Sequence, residues 1–147
     1  MSTGRVYIMI KTSIEDCRFP ELVQAARKAL GNAYSPYSNY KVGAALLTPE
    51  GKIFTGCNVE NGSYGASNCA ERTAVFKAVS EGERRFTAVA IASEDAETPP
   101  FPCGICRQVI SEFCPPETPV LIYDGGGAVC CAELGELIPY AFDFKKE

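Results

Sequence analysis

Apolar residues along this chain occur in two patterns, helical spacing and short continuous runs, and the two patterns alternate. The first helical segment begins at Pro20, which suits the first turn of a helix, and ends in the turn-rich stretch 31–36. Its apolar stripe consists of Leu22, Val23, Ala26, Ala29 and Leu30. This spacing predicts an amphipathic helix that covers one face of a sheet.

Two strands and a second helix are predicted to follow. The apolar run 42–47 leads through the turn signal 49–51 into a second run, 53–58, and this arrangement is typical of a β-hairpin. After the loop 59–68, helical spacing returns in Ala70, Ala74, Val75, Ala78 and Val79.

The second half of the chain continues the alternation. Its predicted elements are a buried strand at 88–93, a loop at 94–102, a helix at 104–114, strands at 120–123 and 128–131, and a helical turn at 133–138. The helix at 104–114 is predicted to bury Ile105, Val109, Ile110 and Phe113. The order α-β-β-α-β-α-β-β-α predicts an α/β fold, a three-layer α/β/α sandwich with a mixed five-stranded sheet.

The first 18 residues show no clear periodicity, so we expect an N-terminal leader at 1–18 and one domain at 19–147. The apolar stretch 6–10 is too short for the core of a signal peptide, and no later segment approaches the length of a membrane span. We therefore expect a cytoplasmic protein with no membrane partner.

Composition narrows the possible functions. The chain of 147 residues has 14 basic and 18 acidic residues and no long basic run, which argues against a nucleic-acid partner. It contains no histidine, so a Ser-His or Cys-His nucleophile is excluded. Its eight cysteines are expected to be thiols or metal ligands if the compartment is reducing.

Three cysteines have the positions expected of zinc ligands. Cys103 and Cys106 form a C-x-x-C pair at the start of a predicted helix, and Cys69 begins another. The positive ends of the helix dipoles favour thiolates there. A C-x-x-C alone is equally compatible with a redox pair or half of a structural zinc site. Three protein ligands with a carboxylate nearby favour a catalytic zinc, because structural sites normally use four.

Glu71 and two arginines complete this candidate site. Glu71 lies two residues after Cys69, where it can reach a water at the open zinc position and act as general acid and base. Three thiolates leave a negative site, so Arg72, and more weakly Arg107, are candidates for hydrogen bonding to the ligand sulfurs.

These motifs, together with residues 34–38 and 56–65, resemble the small homotetrameric cytidine deaminases from about Glu21 to Phe142. The resemblance implies that Cys69, Cys103 and Cys106 bind one zinc per chain and that Glu71 shuttles protons. It also implies a homotetramer with active sites at the subunit interfaces. The expected activity is hydrolytic deamination of cytidine and 2'-deoxycytidine in pyrimidine salvage.

The resemblance also implies which residues contact the nucleoside. Asn58 and Glu60 match a pair that holds the ribose hydroxyls, and the backbone around Ala70 and Cys103 matches groups that contact the leaving amine and the zinc-bound hydroxyl. Phe142 matches an aromatic residue that reaches a neighbouring subunit's pocket. Tyr40 stands where many members have phenylalanine, so stacking on the base should persist with an added hydroxyl.

Two different functions also remain compatible with the sequence. One is deamination of another aminopyrimidine nucleoside. The other is a non-catalytic zinc module, which requires a fourth ligand from the remaining cysteines, Cys17, Cys57, Cys114, Cys130 and Cys131. We expect these five to be core residues or unreactive thiols.

Overall fold

The structure is a computed structural model that describes residues 10–94 and 99–144. The first half of the predicted leader and residues 95–98 of the predicted loop 94–102 lie outside the described residues. Within the described part, no helix combines the length and apolar character needed to cross a bilayer.

A six-stranded mixed sheet forms the centre of the molecule, in the order β1-β6-β5-β4-β2-β3. The strands are β1 (Ile10–Ser13), β2 (Val42–Leu47), β3 (Ile53–Cys57), β4 (Ala88–Ser93), β5 (Pro119–Tyr123) and β6 (Ala128–Glu133). Only the β4–β5 pair is parallel; the other described pairs are antiparallel. The predicted mixed sheet and hairpin are therefore confirmed.

In the part of the chain that the structure describes, the sheet has six strands, whereas the sequence predicts five. The additional strand is β1, in the segment assigned to the leader, and it pairs with β6 from Ile10 opposite Cys131 to Ser13 opposite Ala128. β1 has only four residues and none of them is buried, so it lacks the alternation that marks a half-buried strand. Its pairing with a strand more than a hundred positions later is a tertiary effect.

Within residues 10–94 and 99–144, four α-helices cover the two faces of the sheet, which confirms the α/β/α sandwich. One face carries α1 (Pro20–Ala29), and the other carries α2 (Ala70–Ser80), α3 (Gly104–Phe113) and α4 (Leu134–Leu137). In β4, Val89 and Ile91 pack in the core on the side of α2, α3 and α4, while the alternating alanines 88, 90 and 92 pack in the core on the side of α1. Burial on both faces explains why this strand is a continuous apolar run.

Helix α3 departs from its prediction at one residue. Ile110 is buried as expected, and Val109 and Phe113 are partly buried against the same core, but Ile105 is 62% exposed. Ile105 lies in the first turn of α3, beyond the edge of the core, and its apolar surface is left open beside the cysteines.

Helix α2 packs closely on the hairpin because Gly56 in β3 has no side chain. A Cβ at Gly56 would lie 2.4 Å from the Ala74 backbone nitrogen and 2.6 Å from the Ala70 carbonyl oxygen. Helices α2 and α3 also contact each other on this face. Together these contacts place the first turns of the two helices side by side.

Candidate metal centre and active site

Three thiols meet where helices α2 and α3 begin. Cys69 is the N-cap residue of α2, Cys103 is the N-cap residue of α3, and Cys106 lies buried in the first turn of α3. Their sulfur atoms all lie within 4.8 Å of one another, and the Sγ atoms of Cys69 and Cys103 are 3.9 Å apart. The fold therefore joins two motifs that are 34 residues apart in the sequence.

Hydrogen bonds favour a thiolate in this cluster. Bonding to Cys106 is the main cause that lowers the pKa of Cys69 to about 5, and Arg72 acts in the same direction. The Nη2 atom of Arg72 donates to the Sγ of Cys69 at 3.3 Å. The same Cys69–Cys106 bond raises the pKa of Cys106, because the two sulfurs compete for one proton.

The donor set fits zinc. Soft thiolates are suitable ligands for Zn²⁺, and helix N-termini and Arg72 offset the negative charge of three sulfurs. Among residues 10–94 and 99–144, the cluster of potential ligands consists of Cys69, Cys103 and Cys106 alone. Three protein ligands leave a coordination position open, as catalytic zinc sites do. The five other cysteines lie outside this cluster.

Glu71 lies buried beside the cluster. It is in the first turn of α2, directly after the fully buried Ala70, and is only 4% exposed. Burial is the main cause that raises the pKa of Glu71, and the charge of Cys69 adds to this effect, while the residue's own backbone N–H opposes it. A carboxyl group with a raised pKa can both accept and return a proton near neutral pH.

The hydrogen bonds of Arg107 differ from the predicted bonds to the ligand sulfurs. Its Nε atom donates to the Pro102 carbonyl oxygen and its Nη1 atom to the Leu137 carbonyl oxygen, both at 2.6 Å. It thus ties the loop before α3 to the end of α4. Arg107 therefore supports the backbone around Cys103, while Arg72 contacts a ligand sulfur.

Asn58 and Glu60 flank a residue that pairs with the segment before Cys69. Val59, between them, pairs with Asn68, the residue before Cys69, through two backbone hydrogen bonds of 2.9 Å. Because side chains alternate along an extended segment, Asn58 and Glu60 share the side opposite Val59. The two side chains are thus brought to the segment that carries the first cysteine.

The side chain of Asn58 is already bonded to the backbone near Tyr40. Its Nδ2 atom donates to the Tyr40 carbonyl oxygen at 2.7 Å, and its Oδ1 atom accepts from the Val42 N–H at 2.9 Å. Asn58 therefore fixes the chain that enters β2, including Tyr40, against the end of β3.

The carboxylate of Glu60 holds the preceding turn. Its Oε1 atom accepts from the backbone N–H groups of Tyr37 and Ser38, at 2.9 and 3.0 Å, and its Oε2 atom accepts from the Ser38 hydroxyl. The Ser38 hydroxyl is the main cause that lowers the pKa of Glu60, so this carboxyl group is ionised at neutral pH. Sequence reasoning gave Ser38 no role of its own, since a turn serine has no distinctive pattern.

Phe142 is 69% exposed, and its ring stacks on Phe144 with centroids 6.1 Å apart. Its carbonyl oxygen accepts from Gln108 Nε2 at 3.1 Å, which ties this segment to α3. Gln108 was not predicted to have this role, since its partner lies 34 positions away.

Comparisons with known proteins agree with this geometry. Residues 19–122 match the family profile described as the cytidine and deoxycytidylate deaminase zinc-binding region. A cytidine deaminase from Sporosarcina psychrophila is 49% identical over 122 residues, which cover 83% of this chain and 89% of that protein. A blasticidin-S deaminase from Bacillus cereus is 33% identical over 129 residues, covering 83% and 90% of the two chains.

A solved structure extends the agreement to the fold. The crystal structure of a cytidine deaminase from Burkholderia pseudomallei superposes with a TM-score of 0.77 at 49% sequence identity. The match covers 83% of this chain and 97% of that one. The sandwich predicted from the sequence is thus the fold of that enzyme.

Proposed function

This chain belongs to the cytidine and deoxycytidylate deaminase family, and we propose that it converts cytidine and 2'-deoxycytidine, with water, to uridine and 2'-deoxyuridine plus ammonia. The observation that carries this proposal is the convergence of three thiols beside the buried Glu71. The role we assign in the cell is pyrimidine salvage.

Cys69, Cys103 and Cys106 hold the zinc of this enzyme, one ion per chain. When bound, zinc supplies the Lewis acidity that makes water nucleophilic at neutral pH. Hydrogen bonds from Cys106 and from Arg72 lower the pKa of Cys69 and so favour the thiolate form, which a zinc ligand requires.

Glu71 moves the protons of the reaction. We propose that its carboxylate takes a proton from the attacking water and delivers it to N3 of the pyrimidine ring. It then takes the remaining hydroxyl proton and gives it to the amine that leaves C4 as ammonia. Burial raises the pKa of Glu71, which makes its carboxylate a better proton acceptor than that of an exposed glutamate and so supports this role.

Asn58 and Glu60 are our candidates for holding the sugar, with Tyr40 against the base. Val59 pairs with Asn68 beside the metal ligand, and this placement supports their roles. The main chain at Ala70 follows Cys69 directly, which supports contact with the reacting end of the pyrimidine. An ionised Glu60 is a strong acceptor for an uncharged sugar hydroxyl.

We further propose a homotetramer whose active sites are completed by neighbouring chains. Three apolar side chains are exposed on α3 and the segments next to it: Phe101 and Ile105 lie two residues to either side of Cys103, and Phe142 lies in the C-terminal segment, whose backbone is bonded to Gln108 of α3. Exposed apolar side chains of this kind support a protein interface on this side of the molecule. Phe142 is our candidate for the residue that enters a neighbour's site.

Two general assignments accompany this proposal. We place the catalytic domain at 19–147, supported by the family match at 19–122, with β1 joining its sheet from the preceding segment. We place the protein in the cytoplasm, because none of the eight cysteines forms a disulfide, as expected in a reducing compartment.

The decisive experiment is the loss of cytidine absorbance on purified protein, with zinc measured per chain. Glu71→Gln should keep zinc and lower kcat at least ~100-fold, since the amide cannot carry the proton. The matched control is Glu81→Gln, at the opposite end of α2, which should match the wild type. Substantial turnover by the Glu71→Gln protein would refute the proposed shuttle.

Deamination of another aminopyrimidine nucleoside is the second candidate, and the similarity to a blasticidin-S deaminase favours it over a non-catalytic zinc module. The higher identity to a cytidine deaminase makes cytidine the first choice. Steady-state assays of cytidine, deoxycytidine and blasticidin S on the same preparation separate the two activities by kcat/KM.

A further inference from the structure

The hydroxyl of Ser38 joins two parts of the proposed nucleoside site. It donates to Oε2 of Glu60 and accepts from the backbone N–H of Tyr40 at 3.0 Å. One oxygen atom therefore connects the carboxylate proposed to hold the sugar with the residue proposed to contact the base.

The turn around Ser38 is built to receive this carboxylate. Asn39 has a positive φ of 56° and donates its N–H to the Ser35 carbonyl oxygen at 2.9 Å, which closes the turn. Consecutive N–H groups of Tyr37 and Ser38 then point to Oε1 of Glu60. Adjacent backbone donors of this kind form an anion-binding concavity, here filled by a side chain of the same protein.

Hydrogen-bond capacity shows how this arrangement leaves room for substrate. A carboxylate offers about four acceptor positions, and Glu60 has three protein donors. Two of the three occupy Oε1, so the free capacity includes a position on Oε2, beside the Ser38 hydroxyl. One sugar hydroxyl can bind there without breaking the turn.

We propose that Ser38 is a positioning residue for the nucleoside, acting through Glu60 and Tyr40. The proposal rests on the proposed function of this site. Ser38 orients Oε2 of Glu60 toward the sugar and fixes the main chain of Tyr40. It belongs to a different element from Glu71 and the cysteines, so it affects substrate binding and leaves proton transfer unchanged.

Removal of the hydroxyl defines the test. In Ser38→Ala, Oε2 of Glu60 loses its protein donor and the Tyr40 N–H loses its acceptor. KM for cytidine should rise roughly three- to tenfold, as expected for loss of a net hydrogen bond, with kcat and zinc content retained. Ser38→Thr keeps the hydroxyl and should restore KM.

A matched control exists elsewhere in the chain. The Ser13 hydroxyl also donates to a carboxylate and accepts from a backbone N–H, and both of these groups belong to Asp16. Ser13 lies in the edge strand β1 and has no proposed role in catalysis. Ser13→Ala should therefore leave both KM and kcat at their wild-type values.

A double-mutant cycle distinguishes positioning from a general structural effect. If Ser38 acts through Glu60, the double variant should change KM by less than the two single changes combined, when Ser38→Ala and Glu60→Gln are compared as free energies. Additive effects, or an unchanged KM in Ser38→Ala, would overturn the role of Ser38 while wild-type turnover upholds the proposed function. A wild-type protein that does not convert cytidine would overturn both.

Discussion

The close contact at Gly56 makes a specific prediction about catalysis at a distance. In Gly56→Ala, the new Cβ would lie 2.4 Å from the Ala74 nitrogen, where ordinary contact begins at 3.4 Å. This nitrogen and the next nearest atom, the Ala70 carbonyl oxygen, are both backbone atoms, so no side chain can rotate away to relieve the clash. Helix α2 must therefore move by about 1 Å, and Cys69 and Glu71 move with its first turn.

The size of the effect follows from this displacement. Overpacking of a tight core contact costs about 1–3 kcal/mol of unfolding free energy. A misplacement of about 1 Å in a catalytic group can lower the rate roughly 100-fold. Gly56 has no positive φ, so the effect comes from the steric clash and not from backbone strain.

The assay compares Gly56→Ala with Gly31→Ala by urea unfolding, zinc content and cytidine turnover. A Cβ at Gly31 would meet no atom within 4 Å, and Gly31 has no positive φ, so its stability should change by less than ~1 kcal/mol. Wild-type stability and kcat in Gly56→Ala would show that α2 is not held at the stated distance and would refute the reasoning.

Two further predictions concern the metal and the neighbouring chain. Arg72→Gln removes a hydrogen-bond donor to Cys69, so the pKa of Cys69 should rise and protons should compete with zinc up to a higher pH. Zinc affinity, measured by titration with a chelator, should fall roughly 10–100-fold. Arg84→Gln is the control, and equal zinc affinity in the two variants would contradict the role of Arg72. Phe142→Ala should raise KM for cytidine. If Phe142 serves a neighbour's site, mixed oligomers of Phe142→Ala and Glu71→Gln chains should recover activity, because a Phe142→Ala chain keeps Glu71 and receives Phe142 from its neighbour. No recovery after subunit exchange would place Phe142 in the site of its own chain.

Local patterns were sufficient to predict most of the architecture. The continuous apolar run of β4 follows from its burial on two faces, and the apolar stripe of α1 follows from its burial on one face. Both patterns can be read from residues that are close together in the sequence. The C-x-x-C pair of Cys103 and Cys106 is equally local, since one helical turn brings both sulfurs to one point. These features were predictable because they require no knowledge of distant partners.

Other features depended on contacts between distant parts of the chain. β1 has no pattern of its own and becomes a strand by pairing with β6. Arg107 is adjacent to a ligand in sequence, yet two carbonyl oxygens take its hydrogen bonds. Glu60 contacts Ser38, 22 positions away, only because the hairpin and the turn are packed together.

The sequence alone therefore determined every helix and strand of the sandwich except β1, their order along the chain and the chemical groups available, including three thiols and one carboxylate without histidine. The tertiary structure decided which of these groups meet. Helix and strand propensities act over a few residues, whereas a hydrogen bond between distant segments depends on strand register and helix packing. Packing of α2 against the sheet and α3 brings Cys69 to the C-x-x-C pair and buries Glu71 beside them.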